Sequence, residues 1–295
     1  MNGTVFVILD AVGDGPPRVP SSPGRNPYGR GARTSGMDFS GAVIDVDGTV
    51  VRGDDPIPGA PAGYRRLREA GIEPLFVSNN PTKAPPAYVD RLGAAGYDVD
   101  ADRVFTAGSV TTRYLREHHR GDDLLCIAEA GLLDQFAAAG LSTTDDVDAA
   151  DALVASIDRE FDYDDLCTAM WALERDIPFI GTDPDVVIPA PERDVPGSGA
   201  VINAVAGVAE REPDAVLGKP SDTAIEMVRE RLPYPPEECL VVGDRLDTDI
   251  ALGERAGMTT VLVRSGVTDE ATLEASAVTP DHVLDHLGQI DRVIG

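Results

Sequence analysis

The chain has 295 residues, of which 42% are hydrophobic, so it is long enough for two compact units with apolar cores. It carries 25 basic and 51 acidic residues, and its formal net charge of −26 would repel nucleic acids and anionic membranes. No apolar run reaches the ~18 residues that a membrane span needs. The three cysteines lack C-x-x-C spacing, which favours free thiols in a reducing compartment. We therefore expect a soluble, cytoplasmic protein without nucleic-acid or membrane partners.

The distribution of charged residue types is also unusual. Lysine occurs only at Lys83 and Lys219, whereas aspartate is abundant. This composition resembles that of proteins that stay soluble in concentrated salt, where screening weakens the repulsion between like charges. We therefore hypothesise halophilic adaptation, which predicts a folding midpoint that rises with KCl concentration.

Residues 1–37 are rich in Gly, Pro, Ser and Arg and show no sustained hydrophobic periodicity. Such a segment cannot bury much apolar surface, so we predict a disordered N-terminal extension. Met37 stands just before the first predicted strand, and a misplaced start codon is the alternative explanation for the extension.

After this extension, short apolar runs alternate with helical patterns, which is typical of a parallel α/β sheet. The first predicted strands lie at 42–46, 74–77 and 103–107. New strand signals lie at 124–128, 152–156 and 178–182, and a final group at 215–218, 239–242 and 260–263 resumes the first pattern. We therefore predict a discontinuous core at 38–119 and 192–295, interrupted by an inserted domain at 120–191.

Four polar clusters each follow directly after an apolar run. They read AVID-VDGT, LFV-SNN, AVLG-KPS and CLVV-GDRLDTD along the chain. In open α/β sheets, ligands bind outside the carboxyl ends of the strands, where loops from different strands converge. The four clusters are therefore expected to form one site.

That site would combine carboxylates, one ammonium group and the polar groups of one loop. Its members are Asp45, Asp47, Asp244, Asp249, Lys219, Ser78, Asn79 and Asn80. An all-oxygen set of carboxylates without His or Cys suits Mg²⁺ rather than zinc. One carboxylate could then attack phosphorus as a nucleophile while another transfers protons. Asp45 and Asp47 would point the same way in an extended segment, although a pair of solvated turn acids is the plainer interpretation of D-x-D alone.

The order of these motifs resembles that of the haloacid dehalogenase (HAD) superfamily: D-x-D-G-T, a hydroxyl residue after the second strand, a distant Gly-Lys and G-D-x-x-x-x-D. The segments VRGDDPIPGA, FVSNNPTK, DREFDYDDL, PGSGA and AGMTTVLVRSG look like the NagD and p-nitrophenylphosphatase branch, subclass IIA. The resemblance covers about residues 39–267. It implies an α/β fold with a Rossmann-like core, a parallel sheet and an inserted α/β cap domain of the C2 type.

The resemblance also implies catalytic roles. Asp45 would be the nucleophile and a Mg²⁺ ligand. Asp47 would protonate the leaving oxygen, later activate water, and bind the metal through its backbone carbonyl. Lys219 would neutralise the charge that gathers on the phosphoryl group and the nucleophile.

The remaining motif residues would bind phosphate and metal. By the same resemblance, Ser78 and Asn79 would hydrogen-bond the phosphoryl oxygens and Asp244 would ligate Mg²⁺. Asp249 would hold either the metal's waters or Lys219, and Asp247 is expected to be a surface acid.

Two positions depart from the pattern of this branch. Ser78 stands where Thr is commoner, which preserves the hydroxyl group. Asp183 stands where relatives often have Asn, and this change could alter substrate preference or only reflect the acidic composition.

The implied activity is Mg²⁺-dependent hydrolysis of small phosphate monoesters, such as phosphoglycolate, sugar phosphates, nucleotides or p-nitrophenyl phosphate, by a chain that could form a homo-oligomer. One alternative is a dehalogenase, although that chemistry needs neither a general acid nor a metal. A second alternative is a receiver-like phosphoacceptor module, which would leave the inserted domain unexplained.

Overall fold

Two parallel sheets organise the described residues, 38–189 and 193–295, of this computed structural model. The predicted N-terminal extension lies outside the described residues. The strands in chain order are β1 (Gly41–Ile44), β2 (Val51–Arg52), β3 (Asp55–Pro56), β4 (Glu73–Ser78), β5 (Val104–Thr106), β6 (Asp123–Ile127), β7 (Ser142–Thr143), β8 (Ala152–Ala155), β9 (Phe179–Gly181), β10 (Val187–Ile188), β11 (Val195–Pro196), β12 (Ala215–Val216), β13 (Cys239–Gly243), β14 (Thr259–Val263) and β15 (His282–Leu284).

Helices connect most of these strands. They are α1 (Ala60–Glu69), α2 (Pro85–Ala94), α3 (Ala107–His118), α4 (Ala130–Ala138), α5 (Tyr163–Leu173), α6 (Ser198–Ala209), α7 (Asp222–Arg231), α8 (Ala251–Ala256), α9 (Glu270–Ala275) and α10 (Asp291–Ile294). No helix in the described ranges is long and apolar enough to cross a membrane. All three cysteines are unpaired.

The first sheet has six parallel strands in the order β15-β14-β13-β1-β4-β5. Strand β1 lies in the interior, with β13 on one side and β4 on the other, and every residue of β1 and β13 is buried. Because helices cover both faces of such a sheet, its strands read as continuous apolar runs. The predicted α/β fold with a parallel core sheet is confirmed.

The alternation of side chains along these strands produces two apolar clusters, one on each face of the sheet. Ile44 and Phe76 lie in one cluster, whereas Val43 and Leu75 lie in the other. Burial on both faces holds the central strands rigidly in register. The carboxyl ends of β4, β1 and β13, where three of the polar clusters begin, therefore lie side by side.

The second sheet has five strands in the order β12-β9-β8-β6-β7 and its own apolar cluster. The sequence analysis assigned residues 215–218 to the core, but β12 pairs in parallel with β9. The physical reason is helix α6, whose residues Val201, Ile202 and Val205 pack into the cluster of the second sheet and return the chain beside β9. The inserted domain remains a prediction, and this pairing favours an insert that continues to Val216.

Candidate active site

The carboxyl end of β1 is the centre of the candidate site. Ile44 is paired with Phe76 on one side and with Val242 on the other, so Asp45 emerges between the loops that follow β4 and β13. The backbone N–H of Asp45 donates to the carbonyl of Val242 at 2.9 Å. The convergence of three of the four predicted motifs thus follows from the strand order of this sheet, whereas the fourth, which contains Lys219, follows β12 of the second sheet.

Lys219 lies in the middle of this convergence, with only 2% of its surface exposed. Its Nζ atom is 2.6 Å from Oδ1 of Asp45 and 2.6 Å from Oδ1 of Asp249. Burial by itself would lower the pKa of Lys219, but the carboxylates of Asp249 and Asp45 raise it above its ordinary value. The lysine is therefore charged and holds two buried carboxylates together.

Asp249 fixes the loop that follows β13. Its Oδ1 atom accepts from Lys219, and its Oδ2 atom accepts from the backbone N–H groups of Asp244, at 3.1 Å, and Arg245, at 3.0 Å. Both oxygens are engaged by the chain itself. Asp249 contacts Lys219, which is one of the two partners that the sequence analysis left open.

A set of buried carboxylate oxygens beside Lys219 is suited to a divalent cation. One oxygen each from Asp45, Asp244 and Asp249 lie within 4.8 Å of one another. Burial, followed by the charge of Asp249, raises the pKa of Asp244 to about 7. Burial likewise raises the pKa of Asp45 well above its usual range, against the opposing effect of Lys219. Carboxylates brought this close need a counter-charge in addition to the lysine.

The unsatisfied atom of this cluster is Oδ2 of Asp45, which is buried and has no hydrogen-bond partner among the described residues. A buried carboxylate oxygen without a partner is costly unless a ligand satisfies it. The residues present therefore fit a hard cation with oxygen ligands. Asp249 accepts three hydrogen bonds from the chain, whereas Asp45 accepts one from Lys219 and Asp244 accepts one from the backbone N–H of Val267 at 2.7 Å. Asp45 and Asp244 therefore have more free lone pairs for a cation than Asp249 has.

Asp47 is not part of the buried cluster. Strand β1 ends at Ile44, and Gly48, with φ of 89°, turns the chain into the hairpin β2–β3. The extended segment on which the alternation argument depended is therefore interrupted. The carboxylate of Asp47 is 50% exposed and lies 2.6 Å from Nη2 of Arg91.

Gly48 is also needed because of a close approach. A Cβ atom at this position would overlap the carboxylate of Asp244, and the same is true at Gly266. Only glycine combines the positive φ with this proximity.

The loop after β4 supports the site through Asn79. Its Oδ1 atom accepts from the backbone N–H of Lys219 at 2.7 Å, and its Nδ2 atom donates to the carbonyl of Lys219 at 3.2 Å. Asn79, expected to bind phosphate, thus holds the backbone of the lysine. The hydroxyl of Ser78 lies 2.9 Å from that of Tyr88 and accepts from the backbone N–H of Asn80 at 3.2 Å.

Two acids at the carboxyl end of β9 border the site and were not predicted as part of it. Asp185 lies 3.4 Å from Nδ2 of Asn79 and 3.8 Å from Nη1 of Arg245. Asp183 is buried, and burial, followed by the charge of Asp185, raises its pKa to about 8. Their signal was available, because TDPD directly follows an apolar run as the four recognised clusters do.

Two arginines were also missed. Arg245 adjoins Asp244 and donates to the carbonyl of Val187 at 2.8 Å, and Arg91 contacts Asp47. Arg245 could have been noticed within GDRLDTD, whereas Arg91 lies inside an ordinary helical pattern that carries no such signal.

In this parallel α/β core, an interior strand places Asp45 beside the buried Lys219 and a cluster of buried carboxylates that could hold a cation. This arrangement is typical of enzymes whose nucleophile is a carboxylate. The chain belongs to the haloacid dehalogenase-like hydrolase family. Residues 42–142 match the model of haloacid dehalogenase-like hydrolases, and residues 216–290 match a second, HAD-hydrolase-like model.

Named relatives place the chain within this family. Sugar-phosphatase AraL of Bacillus subtilis is 31% identical over 254 residues, which are 86% of this chain and 93% of AraL. The p-nitrophenyl phosphatase of Archaeoglobus fulgidus is 33% identical, with a TM-score of 0.81 over 86% of this chain and 99% of that one. NagD of Escherichia coli is 25% identical, with a TM-score of 0.76 over 86% of this chain and 99% of NagD. The predicted family and fold are confirmed, and the predicted enzyme class agrees with the names of the two phosphatases.

Proposed function

We propose that this chain hydrolyses phosphate monoesters of small metabolites, with Mg²⁺ as cofactor and an aspartyl-phosphate on Asp45 as intermediate. The observation that carries the proposal is the state of the Asp45 carboxylate. Lys219 holds Oδ1 at 2.6 Å, while Oδ2 is buried without a hydrogen-bond partner among the described residues. A nucleophile needs this combination of a fixed orientation and a free lone pair.

The first half-reaction transfers the phosphoryl group to the protein. The carboxylate of Asp45 forms a bond to phosphorus while the ester P–O bond breaks, and Asp47 supplies the proton that the leaving oxygen takes up. Lys219 neutralises the negative charge that the nucleophile and the phosphoryl oxygens share. Ser78 is proposed to orient those oxygens through its hydroxyl, and Asn79, whose side chain holds the backbone of Lys219, through its backbone N–H.

The second half-reaction releases phosphate. Asp47, now deprotonated, takes a proton from water, the water oxygen bonds to phosphorus, and Asp45 leaves as a carboxylate. Mg²⁺, held by the side chains of Asp45 and Asp244 and the backbone carbonyl of Asp47, would supply further neutralisation of the phosphoryl charge. Lys219 keeps the Asp45 carboxylate oriented throughout.

The substrate class follows from two considerations. The relatives are named a sugar phosphatase and a p-nitrophenyl phosphatase, which favours small organic phosphates. The second sheet is proposed to act as the cap that recognises the leaving group.

The unpaired cysteines fit a reducing cytoplasm as the place of this activity.

The test is p-nitrophenyl phosphate hydrolysis in high KCl, with Mg²⁺ and with EDTA, by the wild type, Asp45→Asn and Asp247→Asn. We expect Mg²⁺-dependent turnover in the wild type and in Asp247→Asn, whose side chain is exposed. Asp45→Asn should lose turnover and should not form an acid-stable, hydroxylamine-sensitive phosphoprotein. Persistent turnover in Asp45→Asn would refute the nucleophile. Chloroacetate serves as the negative substrate, because its dehalogenation would favour the alternative chemistry.

A further inference from the structure

Arg91, on helix α2, connects the carboxylate of Asp47 to the hairpin that follows it. Its Nη2 atom lies 2.6 Å from Oδ1 of Asp47 and also donates to the carbonyl of Gly53, to which Nε donates at 3.1 Å. The carboxylate of Asp54 lies 3.5 Å from Nε. One guanidinium group therefore binds Asp47 and the turn between β2 and β3 at the same time.

The guanidinium is held firmly enough to determine the position of its partners. The side chain of Arg91 is only 12% exposed, although Asp47 is 50% exposed and Asp54 is 94% exposed. Its guanidinium carbon lies 5.7 Å from the ring centre of Tyr88, which precedes it on the same helix face. Arg91 is therefore the buried member of the ion pair and Asp47 the exposed one.

The same helix face contacts a second residue of the site. Tyr88 is fully buried, and its hydroxyl lies 2.9 Å from Oγ of Ser78. One face of helix α2 thus contacts a residue after the end of β1 and a residue at the end of β4. A helix that contacts both groups can keep their separation constant while the loops between them adapt.

We propose that Arg91 is a positioning residue that holds Asp47 where it can protonate the leaving oxygen. This inference rests on the proposed function, because it presupposes that Asp47 is the general acid. A half-exposed aspartate in a loop has several rotamers of similar energy, and an ion pair that also binds the hairpin selects one of them. Arg91 itself does not contact the reacting atoms.

The dependence of the rate on the leaving group separates this role from a merely structural one. Protonation of the leaving oxygen matters for a poor leaving group such as phenolate and little for p-nitrophenolate, which departs unprotonated. The two aryl phosphates have nearly the same shape, so a distorted site should slow both. A misplaced general acid should slow phenyl phosphate alone, and kcat/KM reports this step because it covers events up to the first irreversible one.

The experiment compares kcat/KM on phenyl phosphate and p-nitrophenyl phosphate for the wild type, Arg91→Met, Arg91→Lys, Asp47→Asn and Arg91→Met/Asp47→Asn. We expect Arg91→Met to lose about tenfold or more on phenyl phosphate and less than about twofold on p-nitrophenyl phosphate. Arg91→Lys should recover part of the loss, because it restores the charge but not the bridge to Gly53. The double variant should be no slower than Asp47→Asn, since both changes disable one function.

Arg68→Met is the matched control. The guanidinium carbon of Arg68 also lies near a tyrosine ring, 6.0 Å from the centre of Tyr64, but on helix α1 rather than α2. This variant should leave both substrates unaffected. The inference would be overturned if both Arg91 variants lost kcat/KM equally on the two substrates, lost none, or gained. The proposed function would remain in each of these cases, provided that the wild type is active. A wild type that hydrolyses neither substrate would overturn the proposed function, and the inference with it.

Discussion

The side chains of Lys219 and Asp45 lie 2.6 Å apart although 174 positions of sequence separate them. The pair is buried, and the lysine also contacts Asp249 at the same distance. Removing one member of such a buried triad destabilises the folded protein, because the remaining charges lose the partner that offsets their desolvation.

Replacing Lys219 by methionine should therefore destabilise the metal-free protein by about 3–5 kcal/mol, because two carboxylates would remain buried without their cation. Urea unfolding with EDTA measures the effect. Lys83→Met is the control, since this other lysine of the chain is exposed and should change the midpoint little. Adding Asp249→Asn to Lys219→Met should restore part of the stability, and equal midpoints for the two lysine variants would contradict the triad.

Asp249→Asn should weaken Mg²⁺ binding by about 10–100-fold, because ligand loops lose their orientation when a supporting group is changed. An amide cannot accept from Lys219 and also from the backbone N–H groups of Asp244 and Arg245 as the carboxylate does. Calorimetric titration with Mg²⁺ measures binding independently of turnover. Asp247, an exposed acid in the same loop, provides the comparison, and Asp247→Asn should bind Mg²⁺ as tightly as the wild type does.

Mg²⁺ binding should also depend on pH through Asp244. Burial raises the pKa of this carboxyl to about 7, so the proton competes with the cation below that value. The folded-state pKa lies above the unfolded one, and the stability that the protonated group contributes is therefore lost as pH rises through about 7. The increase in melting temperature on adding Mg²⁺ should be larger at pH 8 than at pH 6. A shift that is the same at both values would contradict this assignment.

Asp183→Asn should stabilise the protein at high pH. Burial raises the pKa of Asp183 to about 8, so its stabilising contribution is complete below the unfolded pKa and is lost as pH rises through about 8. The hydroxyl of Thr182 lies 2.9 Å from Oγ of Ser156 and 3.1 Å from Oδ2 of Asp183, and its single proton can go to only one of them. When Thr182 donates to Ser156, its oxygen can accept from a donor at the Oδ2 position. Asparagine supplies that donor without a charge.

The expected gain of Asp183→Asn is larger at pH 9 than at pH 5, by on the order of 1–3 kcal/mol. Urea unfolding at the two pH values measures it. Asp176→Asn, an exposed acid near the second sheet, should show no such pH dependence. A variant that is less stable than the wild type at pH 9 would show that Asp183 is needed as a carboxylate.

Much of the core sheet could be predicted because its strands are buried on both faces and read as continuous apolar runs. Residues 74–77 and 239–242 were predicted as strands, and the structure has Glu73–Ser78 and Cys239–Gly243. Strand β12 was also recognised, but its sheet was not. A two-residue strand carries no information about its neighbour, which the packing of helix α6 determines.

The contacts that individual polar side chains make were less predictable. Asp45 and Asp249 lie where their motifs indicated, whereas Asp47 turns towards Arg91, which no motif contains. The reason is the early end of β1 at Ile44 and the positive φ of Gly48, which redirect the chain.

The DVDGTV segment and its three partner motifs determined, from sequence alone, the family, the parallel α/β core and the set of acids that gather at one edge of the sheet. Local apolar patterning is enough for that, since parallel strands place their carboxyl ends together whatever the side chains do next. Only the tertiary structure decided which contacts those side chains make. Lys219 is bound by Asp45 and Asp249, and Asp47 is bound by Arg91, because burial and charge pairing act between residues that are distant in sequence.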